Sequence, residues 1–360
     1  MVFKLKKFGG ISWSVLLLTF FLLIAGALNQ ASASMGGILF KKQLLWFTLG
    51  AGLLLFFTLM DYQKILSPKL IFGGYILLLN FLLILVIRHT RWLRLPGLSI
   101  QPSEFAKLFL ICLSALILYR REGEGLDGKT FLGLSLLAFP LVVLVALTDL
   151  DQGGMLFLIY LSFLVVAGLP RRWVVVTMVS IGVIALLMGP YLWGLLKPYQ
   201  RARVEAFLNP EAFALDRGYQ IIQALIAVGS GGLKGLGFKE GLSSRLNYLP
   251  EKHTDLAFAV WAEEWGFIGA SLVILAYFFL IYQILNIAAR VREPLGRYLC
   301  YGVASMFFWE VFINIGGILH LLPVASVPLP FLSYGGSSVL ANMAAIGLVL
   351  NISRRRYSFR

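Results

Sequence analysis

The sequence predicts an all-α integral membrane protein of about ten transmembrane helices. Both termini are expected in the cytoplasm, with one large extracytoplasmic loop carrying interfacial helices. Three observations predict this. The 360 residues are 59% hydrophobic and only 13% charged, with a mean hydropathy of +0.85. Soluble domains carry about 25% charged residues, so this chain has too few polar groups to cover a water-facing surface. The apolar residues fall into runs that match the roughly 17–25 residues a membrane helix needs. Finally, 31 Lys and Arg against 17 Asp and Glu leave a net charge of +14, the excess that cytoplasmic loops of multi-spanning proteins accumulate.

The spans read as residues 11–28, 43–60, 69–87, 104–119, 131–147, 154–169, 173–196, 256–287, 298–322 and 336–352. The fifth and sixth are short and meet at Thr148-Asp149-Leu150-Asp151-Gln152-Gly153. Lys4, Lys6 and Lys7, the first apolar run and Ala31-Ser32-Ala33 also have the form of a cleaved signal peptide. That run is nevertheless long enough to span, and more spans follow it. Orientation comes from the bases. With the N-terminus inside, about seventeen Lys and Arg fall in cytoplasmic segments, and about five (Lys41, Lys42, Arg88, Arg91 and Arg94) in the short outer loops. The whole chain, 1–360, then forms one polytopic membrane domain, with its large outer loop at about 197–255 between spans seven and eight. No internal repeat is visible, which weighs against a transporter.

Within the loop, Arg201 to Phe207 and Tyr219 to Val228 have helical spacing, with Tyr219, Ile222, Ile226 and Gly229 on one face. Such segments suit the outer membrane interface. The Gly-rich stretch from Gly229 to Gly237 is either a flexible turn or a set of backbone N–H groups approaching a phosphate. Cys112 and Cys300 are too few for a disulfide framework. His89, His253 and His320 are widely separated and show no metal-ligand spacing.

Topology accounts for the cytoplasmic bases; the informative charges are outer bases and intramembrane acids, which are costly and by default functional. Glu104 and Lys107, at i and i+3, can pair at the start of the fourth span, after Pro102 and the capping candidate Ser103. Their pair either locks two spans together or offers Lys107 to an anion. Asp149 and Asp151 either cap the sixth span or contact a metal or sugar. Asp255 stands where the outer loop enters the eighth span. There a carboxylate is either a helix N-terminal charge or a general base for a hydroxyl. Glu263 and Glu264 lie deeper in the same helix on different faces. Glu310 and Asn314, at i and i+4, suggest a buried polar network. Arg88, Arg91 and Arg94, with Arg201, Arg203 and others on the loop, either face lipid headgroups or recognise an anionic, phosphate-bearing ligand in the outer leaflet. Nucleic acid does not fit that location.

Four blocks carry a resemblance. They are Arg91-Trp92-Leu93 with Gln101-Pro-Ser-Glu-Phe-Ala-Lys107; Gly218-Tyr-Gln-Ile-Ile-Gln223 with the Gly-rich stretch; Leu249-Pro-Glu-Lys-His-Thr-Asp-Leu-Ala-Phe-Ala259 with Glu263-Glu264; and the run from Asn314 through Pro-Leu-Pro-Phe-Leu-Ser-Tyr-Gly-Gly-Ser-Ser338. Together they resemble the shape, elongation, division and sporulation family, from the fourth span to the tenth and in the family's order. The compact length and the Lys252-His253-Thr254-Asp255 form resemble its rod-shape-determining branch most. His320, Ser326 and Thr148-Asp149-Leu150-Asp151 depart from the family's pattern.

The resemblance implies a peptidoglycan glycosyltransferase of the bacterial cytoplasmic (inner) membrane, acting in cell elongation and rod-shape maintenance. It would join the disaccharides of lipid II into glycan strands and release undecaprenyl pyrophosphate. It implies Asp255 as general base, with Glu104, Lys107, Arg91, Arg201 and Arg203 as substrate-binding residues. No cofactor is fixed, and a divalent cation (Mg or Mn) is a candidate with no visible cage. Expected partners are lipid II and the nascent glycan strand, a class B penicillin-binding protein and the membrane proteins of the elongation complex. A lipid II flippase and a non-catalytic cell-wall scaffold are the competing readings.

Overall fold

The computed structural model describes residues 10–95, 98–120, 126–170, 198–213, 217–246 and 248–355, with isolated positions between 171 and 197. Its helices are α1 (Trp13–Ala33), α2 (Ile38–Leu59), the short α3 (Tyr62–Ile65) and α4 (Pro68–Ile87), then α5 (Pro102–Tyr119), α6 (Gly128–Thr148) and α7 (Leu150–Val166). The outer loop holds α8 (Pro198–Leu208), α9 (Arg217–Ser230) and α10 (Leu242–Arg245). The chain continues as α11 (Ala257–Arg290), α12 (Pro294–Ile318) and α13 (Gly336–Arg355). Eight of these helices are long and apolar enough to cross a membrane, and α7 is a shorter apolar helix. The expected seventh span, 173–196, lies largely outside the described residues.

Local chemistry sets many of the helix starts. Pro68, Pro102 and Pro294 open α4, α5 and α12, where their missing N–H has no helical partner to lose. Asp127 caps α6 by accepting from Thr130 N (2.7 Å), and Glu293 caps α12 by accepting from Gly296 N (3.1 Å). Ser103 is not a cap: α5 begins one residue before it, with Gln101 in the N-cap position.

Burial sorts the helices into layers. α13, α5 and α12 are mostly enclosed, while α2 and α4 present most of their surface outward. α13 packs on α2, α11 on α12 and α1, and α12 on α5 and α7. Outward residues such as Leu70, Ile76, Leu77 and Phe267 are large and apolar. Such a belt is stable only against hydrocarbon. Cys112 and Cys300 are free and buried.

Two features depart from the sequence expectation. Residues Leu93–Leu95 (β1) and Leu98–Ile100 (β2) form a short antiparallel pair with Arg94 opposite Ser99. The sequence around them alternates apolar and polar residues across a Pro-Gly dipeptide, which is a hairpin signal. The buried face of α9 is also turned from the expected one. Gly218, Ile221, Ala224 and Ala227 face inward, and Ile226 is exposed. Small residues let α9 approach its neighbours closely: a Cβ at Gly218 would overlap the Pro210 carbonyl.

The Gly-rich stretch packs against α11 and directs two of its amides there. α11 breaks at Gly266 (φ 64°, ψ −165°), and the loop docks into that break. Leu236 N and Gly237 N donate to the carbonyls of Glu263 and Glu264 (3.0 Å each), while Phe267 N donates to Gly232 O (2.8 Å). Gly235 (φ 83°) lies so close to Glu264 that a Cβ there would overlap its carbonyl. These amides are committed to α11, and the clasp fastens the outer loop to the helix that follows Asp255.

Candidate active site

A cavity of about 650 Å³ opens where α5, α11 and α13 begin. Gln101 and Glu104 line it from α5, Thr254 and Asp255 from the approach to α11, and Gly335, Ser337 and Ser338 from the start of α13. Arg91 and Trp92 line another wall, and Ala206, Tyr219, Gln220 and Ile221 come from the outer loop. Three helix N-termini therefore meet at one cavity, each carrying roughly half a positive charge. The wall also holds the carboxylates of Glu104, Glu251 and Asp255. Arg91 is the one cationic side chain among the described lining residues, so an anionic ligand here would rely on Arg91 and the helix N-termini, while the carboxylates offer a base.

The backbone under Asp255 is held at three successive carbonyls. His253 O accepts from Tyr334 N (2.7 Å) and Gln30 Nε2 (2.9 Å). Thr254 O accepts from Ser333 Oγ (2.6 Å), and Asp255 O from Asn314 Nδ2 (3.1 Å). α1, α12 and the loop before α13 thus fix one tripeptide, and Asp255 stands on the cavity wall. Burial lowers the Lys252 ammonium from its usual range. Burial, then the Lys252 charge, lowers the His253 imidazole.

Lys107 does not reach this wall. Its Nζ is fully buried, 2.8 Å from Glu104 Oε2 and bonded to Glu310 Oε1. The expected pair with Glu104 is present, but the expected contact of Lys107 with an anion has no route, because two carboxylates already enclose the ammonium. Glu104 is the member of this group that lines the cavity. Glu310 and Asn314 do not share one network: Glu310 serves Lys107, and Asn314 serves Asp255 and Val327.

Arg91 lines the cavity and pairs with Asp149 (3.0 Å). Arg201 is not among the lining residues; its Nη2 donates to Gly194 O (2.6 Å). The side chain of Arg203 lies outside the described residues. Asp149 caps α7, as the sequence suggested, accepting from Gln152 N (3.4 Å). The other two departures, His320 and Ser326, also find partners. His320 Nε2 bonds Phe207 O (2.8 Å), tying α12 to the outer loop, and Ser326 N donates to Asp151 Oδ2 (2.8 Å). Among the described residues no three His, Cys, Asp or Glu gather as a metal cage.

A model of the FtsW, RodA and SpoVE cell cycle proteins matches residues 10–358. The chain belongs to that family. Peptidoglycan glycosyltransferase MrdB of Escherichia coli K12 is 40% identical over 267 residues, covering 74% of this chain and 71% of that protein. A probable peptidoglycan glycosyltransferase FtsW of Trichlorobacter lovleyi is 35% identical over 328 residues, covering 88% and 84%. A solved chain from a peptidoglycan synthase complex that coordinates polymerization and crosslinking superimposes with a TM-score of 0.82 at 29% identity, covering 97% of this chain and 99% of that one. Rod shape determining protein RodA of Thermus thermophilus superimposes at 0.70 with 27% identity, covering 97% and 98%.

In this FtsW, RodA and SpoVE family member, several wall and support residues escaped the reading of charges. Gln30 lies near the end of α1, just past the apolar run 11–28, and Ser333, Ser337 and Ser338 are uncharged. The polar pair Asn29-Gln30 at the end of a membrane run was the available signal for the first.

Proposed function

We propose that this chain is a peptidoglycan glycosyltransferase that polymerises lipid II in the bacterial inner membrane during cell elongation. The observation that carries the reading is the position of Asp255: on the wall of a cavity ringed by three helix N-termini, on a backbone held at three carbonyls. Asp255 takes the proton from the acceptor GlcNAc 4-hydroxyl as its oxygen bonds to the anomeric carbon of the donor MurNAc. The bond from that carbon to the pyrophosphate oxygen breaks, and undecaprenyl pyrophosphate leaves with the electron pair. Arg91 and the helix N-termini oppose the growing leaving-group charge. Glu104, held by Lys107 and Gln152, borders the cavity.

A divalent cation (Mg or Mn) would share the charge of the substrate phosphates, although among the described residues no three His, Cys, Asp or Glu gather to hold it. A class B penicillin-binding protein and other elongation-complex membrane proteins are the proposed partners, supported by the likeness to a synthase-complex chain. The test is polymer formation by the purified chain in detergent with lipid II. A polymerase makes glycan there, whereas a flippase or scaffold makes none because there is no bilayer to cross and no chemistry to perform.

A further inference from the structure

The turn between α6 and α7 contributes no lining residue among those described, yet it grips four pieces of the cavity wall. Asp149 Oδ2 accepts from Arg91 Nη1 (3.0 Å) and Gln101 Nε2 (3.4 Å). Asp151 Oδ2 accepts from Ser326 N (2.8 Å). Gln152 Nε2 donates to Glu104 Oε1 (3.0 Å) and Ser326 O (3.5 Å). Arg91, Gln101, Glu104 and Ser326 all line the cavity. None of these bonds is the cap of α7, which is the separate bond from Gln152 N to Asp149 Oδ1.

Arg91 is the member that most needs holding. It sits between the end of α4 and a two-stranded hairpin, and its side chain is 45% exposed against 4% for Asp149. A long side chain there has many rotamers to lose when it engages a ligand. A buried carboxylate that fixes it beforehand lowers that cost. The guanidinium has several N–H donors, so one bond to Asp149 leaves others for a phosphate.

We infer that Asp149 is a positioning residue that sets the Arg91 guanidinium for the pyrophosphate of the lipid-linked substrate. The inference rests on the reading of the cavity as the polymerisation site. Burial raises the Asp149 carboxyl above the usual aspartate range, although Arg91 pulls it down. A raised native pKa means stability is lost as pH rises through it.

Asp149→Asn separates the two roles, because Asn caps a helix as well as Asp does but leaves Arg91 without its counter-charge. The experiment measures binding of undecaprenyl pyrophosphate in detergent by calorimetry, together with lipid II polymerisation and thermal melting. It compares wild type, Asp149→Asn, Arg91→Gln and the double variant. Asp149→Asn is expected to weaken binding and kcat/KM roughly 10- to 100-fold without lowering the Tm. The double variant is expected to be no worse than Arg91→Gln. Unchanged binding in Asp149→Asn, or losses that multiply in the double variant, overturns the inference. A non-additive binding cycle in a wild type that makes no polymer supports the positioning role and overturns the enzymatic reading alone.

Discussion

Asn314 Nδ2 donates to the main-chain oxygen of Asp255 (3.1 Å) and to that of Val327 (2.8 Å), so one amide in α12 fixes both the catalytic candidate and the loop facing it. Asn314→Ala removes the donor from two carbonyls and is expected to cost about 1–3 kcal/mol. Asn314→Asp is expected to be worse, since it sets a carboxylate against those same oxygens. Thermal melts should rank wild type above Asn314→Ala above Asn314→Asp, with polymerisation falling in the same order. Equal melting of the two variants would count against this contact.

Lys107 is enclosed by Glu104 and Glu310, and all three side chains are at most 1% exposed. Removing the cation leaves two carboxylates uncompensated in the membrane interior. Lys107→Met is expected to destabilise by about 3–5 kcal/mol. Combining it with Glu104→Gln and Glu310→Gln should restore much of the Tm, because no buried charge then remains. An unchanged Tm in Lys107→Met would contradict the enclosed geometry.

The clasp at the α11 break makes a steric prediction. Gly235→Ala places a methyl into the Glu264 carbonyl and is expected to lower the Tm and the yield of folded protein. Gly229→Ala, where nothing lies within 4 Å, is expected to change neither by much. Detergent melts of the two variants side by side decide it.

His253 supplies a pH dependence. Its native pKa is lowered, so the unfolded chain binds a proton more readily than the folded one. Stability is expected to fall as pH drops from about 6.5, the ordinary histidine value, through the lowered native value. Melting wild type and His253→Gln between pH 7.5 and 5 (roughly one unit on either side of the ordinary value) should show a steeper decline in the wild type.

Much of this was legible in the sequence. Apolar runs located eight spanning helices and the shorter α7 among the described residues, because a bilayer demands a minimum length, and scarce acids pointed to Glu104, Asp149 and Asp255. What stayed hidden were contacts between distant segments. Gln30 meets residue 253 and Asn314 meets residue 255 only after folding. Lys107 looked available to an anion because its second carboxylate partner, Glu310, is 203 positions away. The glycines of 229–237 read as flexible because the break at Gly266 that receives them has no local signature.

The most direct test is single-turnover polymerisation of lipid II by wild type and Asp255→Asn, each shown to be folded by its thermal melt. General-base catalysis contributes roughly 10²–10⁴-fold. Asp255→Asn is therefore expected to lose at least about 100-fold in rate with its Tm retained. Wild-type polymerisation by folded Asp255→Asn would contradict the assignment of Asp255 as the base.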